Sequence, residues 1–276
     1  MENPLGYSPE FLAVPLALPS SRRPTVRLDY THFTVLLDAS RRLAAATAVN
    51  IDGARLVDLG RGDEWHLDDR VPASDQTGEE VYARNDLDRG HLVRRRDPVW
   101  GDDAARANRD TFVFTNAAPQ ATGFNQSKEL WLGLEDYLLG YAEAYDERLS
   151  VFTGPVLDPD DPPYRGVRIP RRFWKVAAWV RETAAGRLLA ATAYVLDQSA
   201  ELDDIDLATA LQAGEPPPLG PFRTFQVPVA DVARLTGLDL GALVAADVLA
   251  AASGVREGGG WIALREPGDI RLPTAP

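Results

Sequence analysis

The apolar residues of this chain come in short runs closed by turn residues, and that spacing limits what it can build. Thr34-Val35-Leu36-Leu37 and Arg42–Val49 read as two strands around an Asp38-Ala39-Ser40-Arg41 turn. Asp52-Gly53 reads as a hairpin-type turn into Ala54–Val57. Thr111–Thr115 is a compact β-rich run with the look of a buried strand, and Leu149–Val156 reads as a strand ending at Gly154-Pro155. Phe173–Val180 and Leu188–Leu196 read as a strand pair around Ala185-Gly186. One stretch has a different period. Leu130, Leu134, Tyr137, Leu138 and Tyr141 recur at helical spacing and predict an amphipathic helix from about 127 to about 148. A second helix is expected over Val229–Leu235, stopped near Gly237.

No run reaches the roughly 18 apolar residues a membrane helix needs, so no membrane partner is expected. The stretch Phe11–Leu18 is broken by Pro15, and no basic residue precedes it, so it does not read as a secretory signal. The expectation is a cytoplasmic protein or a part of something longer, with export by another route left open. With 276 residues the chain can bury a full core. Its segments interleave too closely for two domains. The expected organisation is an extended Pro- and Ser-rich arm over 1–30, a single domain over 31–265 and a tail over 266–276. Pro216-Pro217-Pro218 marks a rigid loop.

Hydrophobic residues at 45% and charged residues at 25% exclude wholesale disorder, a coiled coil and a collagen-like repeat. The chain has no cysteine, which removes disulfides, thiol nucleophiles, zinc ribbons and iron–sulfur clusters. Three histidines, His32, His66 and His91, leave no multi-histidine metal cage. The net charge of −12 has the wrong sign for drawing in a polyanion by bulk attraction. Screening at physiological salt limits that repulsion to about 8 Å, so an arginine-lined cleft can still bind one if the acidity sits on other faces.

The segment with chemistry in it is Asp88-Arg89-Gly90-His91. Histidine exchanges a proton near neutral pH, arginine offers a planar charged fork to phosphate oxygens, and glycine lets backbone approach closely. A surface salt-bridge loop would use the same residue types. A second stretch runs from Asn116-Ala-Ala-Pro119-Gln120 through Asn125-Gln126 to Trp131-Leu-Gly-Leu134-Glu135. An asparagine carbonyl is a hard oxygen donor suited to Mg²⁺, which keeps most of its waters. Taken alone, Asn125 also reads as a helix cap and Glu135 as a solvated helix residue.

This ordered set, with the later Val151-Phe-Thr-Gly-Pro155, Ile169-Pro170 and Phe173-Trp-Lys-Val176, resembles the DNA/RNA non-specific endonuclease family over roughly residues 30–240. The resemblance implies an α+β, ββα-metal nuclease fold with a central, mostly antiparallel sheet flanked by helices. It implies a Mg²⁺-dependent endonuclease, with Mn²⁺ able to replace Mg²⁺, that cuts DNA and RNA with little sequence preference and leaves 5′-phosphate ends. His91 would be the general base and Arg89 the contact to the scissile phosphate. Asn116 would orient the site. Asn125 would be the direct metal ligand, with Glu135 and Asp88 acting through metal-bound water. Glu129 is a rival to Glu135, since the Asn125-to-Glu135 interval is longer than in well-known relatives. Leu139 stands where some relatives carry an arginine. The upstream arginine of some relatives has two candidates here, Arg61 and Arg70, flanking Trp65.

Arg94-Arg95-Arg96 reads either as a track for a nucleic-acid backbone or as a solvated basic turn paired with Asp97, Asp102 and Asp103. Trp65 and Trp100 read as base-stacking or, by preference, packing residues. The acidic runs Asp158–Asp161 and Glu201–Asp206 read as solvated loops rather than Ca²⁺ sites, and His32 and His66 as structural or exposed. Two other functions compete: a catalytically idle nucleic-acid or protein interaction module of the same fold, and a phosphodiesterase of small esters. An active intracellular nuclease also calls for restraint, by an inhibitor, a regulatory partner or a homodimer contact.

Overall fold

The short apolar runs pair into one eight-stranded antiparallel sheet. From edge to edge its strands are Ile262–Leu264, Leu219–Val227, Gly186–Ser199, Arg172–Thr183, Arg148–Pro155, Leu43–Asp52, Phe33–Asp38 and Val26–Tyr30. The computed structural model describes residues 5–60, 62–121, 147–184, 186–199, 219–253 and 260–271. The helix expected over 127–148 lies outside these residues except for its last two, and Arg148 opens a strand. Arg61, Asn125, Glu129, Glu135, the Glu201–Asp206 run and Pro216–Pro218 also lie outside them.

Side chains alternate across a sheet, so each strand serves two cores. On one face Phe152, Trp174, Val176, Ala193, Val195 and Val227 pack against the helix Val229–Thr236 through Val229 and Val232. Each fully buried side chain of this kind contributes about 1.5–3 kcal/mol. Alanines at 46, 48, 178, 191 and 193 keep that face flat. Gly154 allows the closest approach: a Cβ there would lie 2.7 Å from the Ala45 carbonyl and 3.0 Å from Trp174 Nε1. The N-terminal segment, expected as an extended arm lying on the body, covers the same face. Tyr7, Leu12 and Leu16 are buried in this core, and the Tyr7 hydroxyl donates to the Leu16 carbonyl at 2.9 Å.

On the opposite face Val35, Val49, Ile51, Val151, Phe173 and Leu196 pack beneath Leu92, Val93, Val113 and Ala118. Those four flank or belong to a separate two-stranded ribbon, Leu87–His91 with Ala117–Ala121. The ribbon therefore rides on the sheet rather than joining it.

Two local readings need correction. Asp52-Gly53 does not turn back into a hairpin. Asp52 still pairs with Arg148, the Gly53 N–H donates to the Glu147 carbonyl at 3.0 Å, and Gly53–Arg55 makes one 3₁₀ turn. Thr111–Thr115 is not a strand either. Val113 makes a single parallel bridge to His66, and the chain winds through the 3₁₀ turn Phe114–Asn116. The cause is Asn116, whose side-chain amide donates to the Thr111 carbonyl at 3.0 Å and offers the backbone an alternative to a ladder.

Candidate active site

The ribbon register sets Arg89 opposite Pro119, Gly90 opposite Ala118 and His91 opposite Ala117. Strand alternation then puts Leu87, Arg89 and His91 on one face and Asp88 and Gly90 on the other. Leu87 anchors its face in a small core with Val81, Tyr82, Phe114 and Ile169, against which Trp65 packs. The His91 ring lies 4.7 Å from the Trp65 ring and 5.3 Å, edge-on, from Phe112. The Arg89 guanidinium lies over the same indole, 5.5 Å from its centroid, and Nη1 donates to Glu79 Oε2 at 2.8 Å. Trp65 thus touches both His91 and Arg89 and packs between them and the small core. On the other face Gly90 makes room for Gln120, whose side chain a Cβ would strike.

Two buried amides hold the ribbon. Asn116 is completely buried: its Oδ1 accepts the Val93 N–H at 2.9 Å, and its Nδ2 donates to the Val93 and Thr111 carbonyls at 3.0 Å each. The backbone just after His91 is clamped in this way, and the Asn116 amide is turned inward rather than toward a ligand. Gln198, also completely buried, comes from the sheet beneath. Its Oε1 accepts the Ala121 N–H at 3.1 Å and its Nε2 donates to the Pro170 carbonyl at 2.7 Å. A buried polar group that loses its partner costs about 1–3 kcal/mol, so these two amides fix the ribbon more firmly than its short ladder does. Gln198 is a residue that sequence reading missed. Its signal was an amide side chain continuing the alternation that carries Tyr194 and Leu196.

Other candidates are placed differently. Arg70 is engaged elsewhere: Nη2 pairs with Asp68 at 2.6 Å, Nη1 donates to the Asp29 carbonyl at 2.9 Å, and the group stacks over Tyr30 at 4.6 Å. Burial would raise the Asp68 carboxyl, but bonds from Arg70 and Tyr30 outweigh it and hold the group below the usual range. Arg70 is thus tied to Asp68 and Tyr30 in this structure, with its side chain 47% exposed. Arg94, Arg95 and Arg96 are half-buried, not a solvated turn. Arg95 Nη1 donates to the Leu59 carbonyl at 2.9 Å and to Asn108 Oδ1 at 3.2 Å, so that guanidinium braces a loop.

The Asp158–Asp161 run is a loop exposed at Pro159 and Asp160 but anchored at its ends. Asp161 is buried and pairs with Arg41 at 2.9 Å, and Asp158 pairs with Arg172 at 3.1 Å. Burial pushes the Asp161 carboxyl up despite the Arg171 N–H and Arg41. His66 is exposed. His32 is buried, stacked on Trp100 at 3.5 Å, with Nδ1 2.8 Å from the Pro98 carbonyl oxygen, and burial pushes its pKa down.

Among the described residues no three His, Asp or Glu side chains converge on a metal position. The residues expected to hold the metal, Asn125 with Glu135 or Glu129, lie outside the described residues.

The family model for DNA/RNA non-specific endonucleases matches residues 14–247, most of the chain. The chain belongs to the DNA/RNA non-specific endonuclease family. This family member is 40% identical over 293 aligned residues to the uncharacterized protein y4fB of Sinorhizobium fredii, covering 97% of this chain and 43% of that protein. It is 28% identical over 187 residues to mitochondrial endonuclease G of Bos taurus, covering 63% of this chain and 54% of that protein. The chain therefore spans about half the length of the curated relatives it matches. Among solved structures, EndoG in its complex with EndoGI superposes with a TM-score of 0.56 at 21% identity, over 78% of this chain and 86% of that one. That likeness shows the fold, a ββα-metal nuclease fold built on a large antiparallel sheet with few helices.

Proposed function

We propose that the protein is a metal-dependent endonuclease that hydrolyses phosphodiester bonds of DNA and RNA with little sequence preference. The observation behind this reading is the pairing of His91 and Arg89 on one face of the ribbon, both against Trp65. A phosphodiester is already anionic, so hydrolysis needs a base for the water and positive charge for the transition state. His91 takes the proton as the water oxygen bonds to phosphorus, and the bond from phosphorus to the 3′ oxygen breaks. The products are a 5′-phosphate and a 3′-hydroxyl. Arg89 offsets charge on the non-bridging oxygens. Asn116 acts at one remove, by fixing the backbone that follows His91. Bound Mg²⁺, or Mn²⁺ in its place, would supply further positive charge at the ester. Asn125 would hold it directly and Glu135, or Glu129, through water. Asp88 faces away from His91 and is given only a water-mediated role. A protein inhibitor is the partner this reading favours, because the structural neighbour was solved as an EndoG/EndoGI complex.

Supercoiled plasmid tests the reading. Nicking is expected with Mg²⁺, absent with EDTA, and lowered about 10²–10⁴-fold in His91→Ala. Unchanged nicking by His91→Ala would remove the assigned base. Binding without cleavage would favour an idle interaction module.

A further inference from the structure

Arg89, the cation assigned above to the substrate phosphate, is not bare. Glu79 opens the short helix Glu79–Tyr82, and its Oε2 lies 2.8 Å from Arg89 Nη1. A carboxylate edge presents to a guanidinium fork the same kind of paired anionic oxygens as the non-bridging edge of a phosphodiester. The arginine is thereby held between an acid and the Trp65 indole, whose ring also touches His91. The pair is not locked in: the Arg89 side chain is 32% exposed and the Glu79 side chain 59%. The next residue, Glu80, carries the same charge but turns to Arg42, with Oε1 2.8 Å from Nη2.

We propose that Glu79 is a built-in competitor for the substrate phosphate. It occupies Arg89 in the free protein and is displaced when a phosphodiester enters, which weakens binding of any phosphodiester by a common factor. The proposal rests on the nuclease reading and deepens it. An exposed ion pair is weak, and displacing it lowers affinity about two- to five-fold. A nucleic-acid strand offsets that loss with its neighbouring phosphates, each of which adds attraction of its own. A lone phosphoester has no such reserve.

The test compares wild type, Glu79→Gln and Glu80→Gln, which lose the same charge one residue apart. Binding of a fluorescein-labelled oligonucleotide about twenty nucleotides long is read by anisotropy in EDTA. Glu79→Gln is expected to bind about two- to five-fold more tightly than wild type, and Glu80→Gln less so. In an Arg89→Ala background the advantage of Glu79→Gln over Glu80→Gln should vanish, as a double-mutant cycle requires. With Mg²⁺, Glu79→Gln should lower KM at unchanged kcat by a similar factor for bis(p-nitrophenyl) phosphate and for the oligonucleotide. Equal affinities for the two variants would overturn the proposal. So would a fall in kcat at unchanged KM, which would make Glu79 an orienting group for Arg89. If wild type cleaves neither substrate the nuclease reading fails, while the anisotropy comparison still decides the role of Glu79.

Discussion

The two faces of the central sheet are built on different principles. One buries Trp174, Phe152 and a row of alanines against a helix and the N-terminal segment, which is also tied to it by hydrogen bonds from the Tyr7 and Ser8 N–H groups to Thr34 and Asn50. The other carries the His91 ribbon, which has an apolar underside but is registered by two amides, Asn116 and Gln198. Apolar packing is forgiving of position, whereas hydrogen bonds at about 3 Å are not. Apolar contact makes up most of the first face, whereas the ribbon that carries His91 and Arg89 is set in place by the two amides.

Three substitutions can break or sharpen that contrast. Phe152→Ala, at a fully buried position on the apolar face, should cost about 3–5 kcal/mol in urea denaturation and leave kcat of the folded protein unchanged. Gln198→Ala should cost less stability, about 1–3 kcal/mol, yet lower kcat about ten-fold because the ribbon shifts. If it lowered stability alone, the amide would be ordinary packing and the contrast would fail.

The smallest effect concerns His32, away from both. Burial depresses its pKa against the Pro98 carbonyl and Asp103, with Arg106 and Arg55 reinforcing the fall. The folded form is therefore neutral while the unfolded chain protonates below about pH 6.5. Stability should fall as pH drops from that value toward the folded pKa, by at most about 1.4 kcal/mol per pH unit. His32 has a φ of 67°, which asparagine tolerates, so His32→Asn should flatten melting temperature against pH in this window. An unchanged slope would assign the acid sensitivity to another group.

The sheet was legible because apolar alternation writes strands directly into sequence. Phe33–Asp38, Leu43–Asp52, Arg172–Thr183 and Gly186–Ser199 follow their expected runs and extend them. The helix Val229–Thr236 ends, as expected, at Gly237. Thr111–Thr115 misled because β-rich composition does not reveal that Asn116 will bond back to Thr111. The ionic groups were legible least. Nothing local shows that Arg70 will meet Asp68 while Arg89 meets Glu79, since both pairings depend on how the chain folds. Motif order located His91 and Arg89, but Glu79 and Gln198 emerge only once distant segments are brought together.

The most direct test of the central claim is the fate of the attacking oxygen. Oligonucleotide cleavage in ¹⁸O-enriched water with Mg²⁺ should place one solvent oxygen in each new 5′-phosphate, with His91→Ala producing almost none. Product phosphates lacking solvent oxygen, or label incorporated at an undiminished rate by His91→Ala, would contradict water activated at the ribbon.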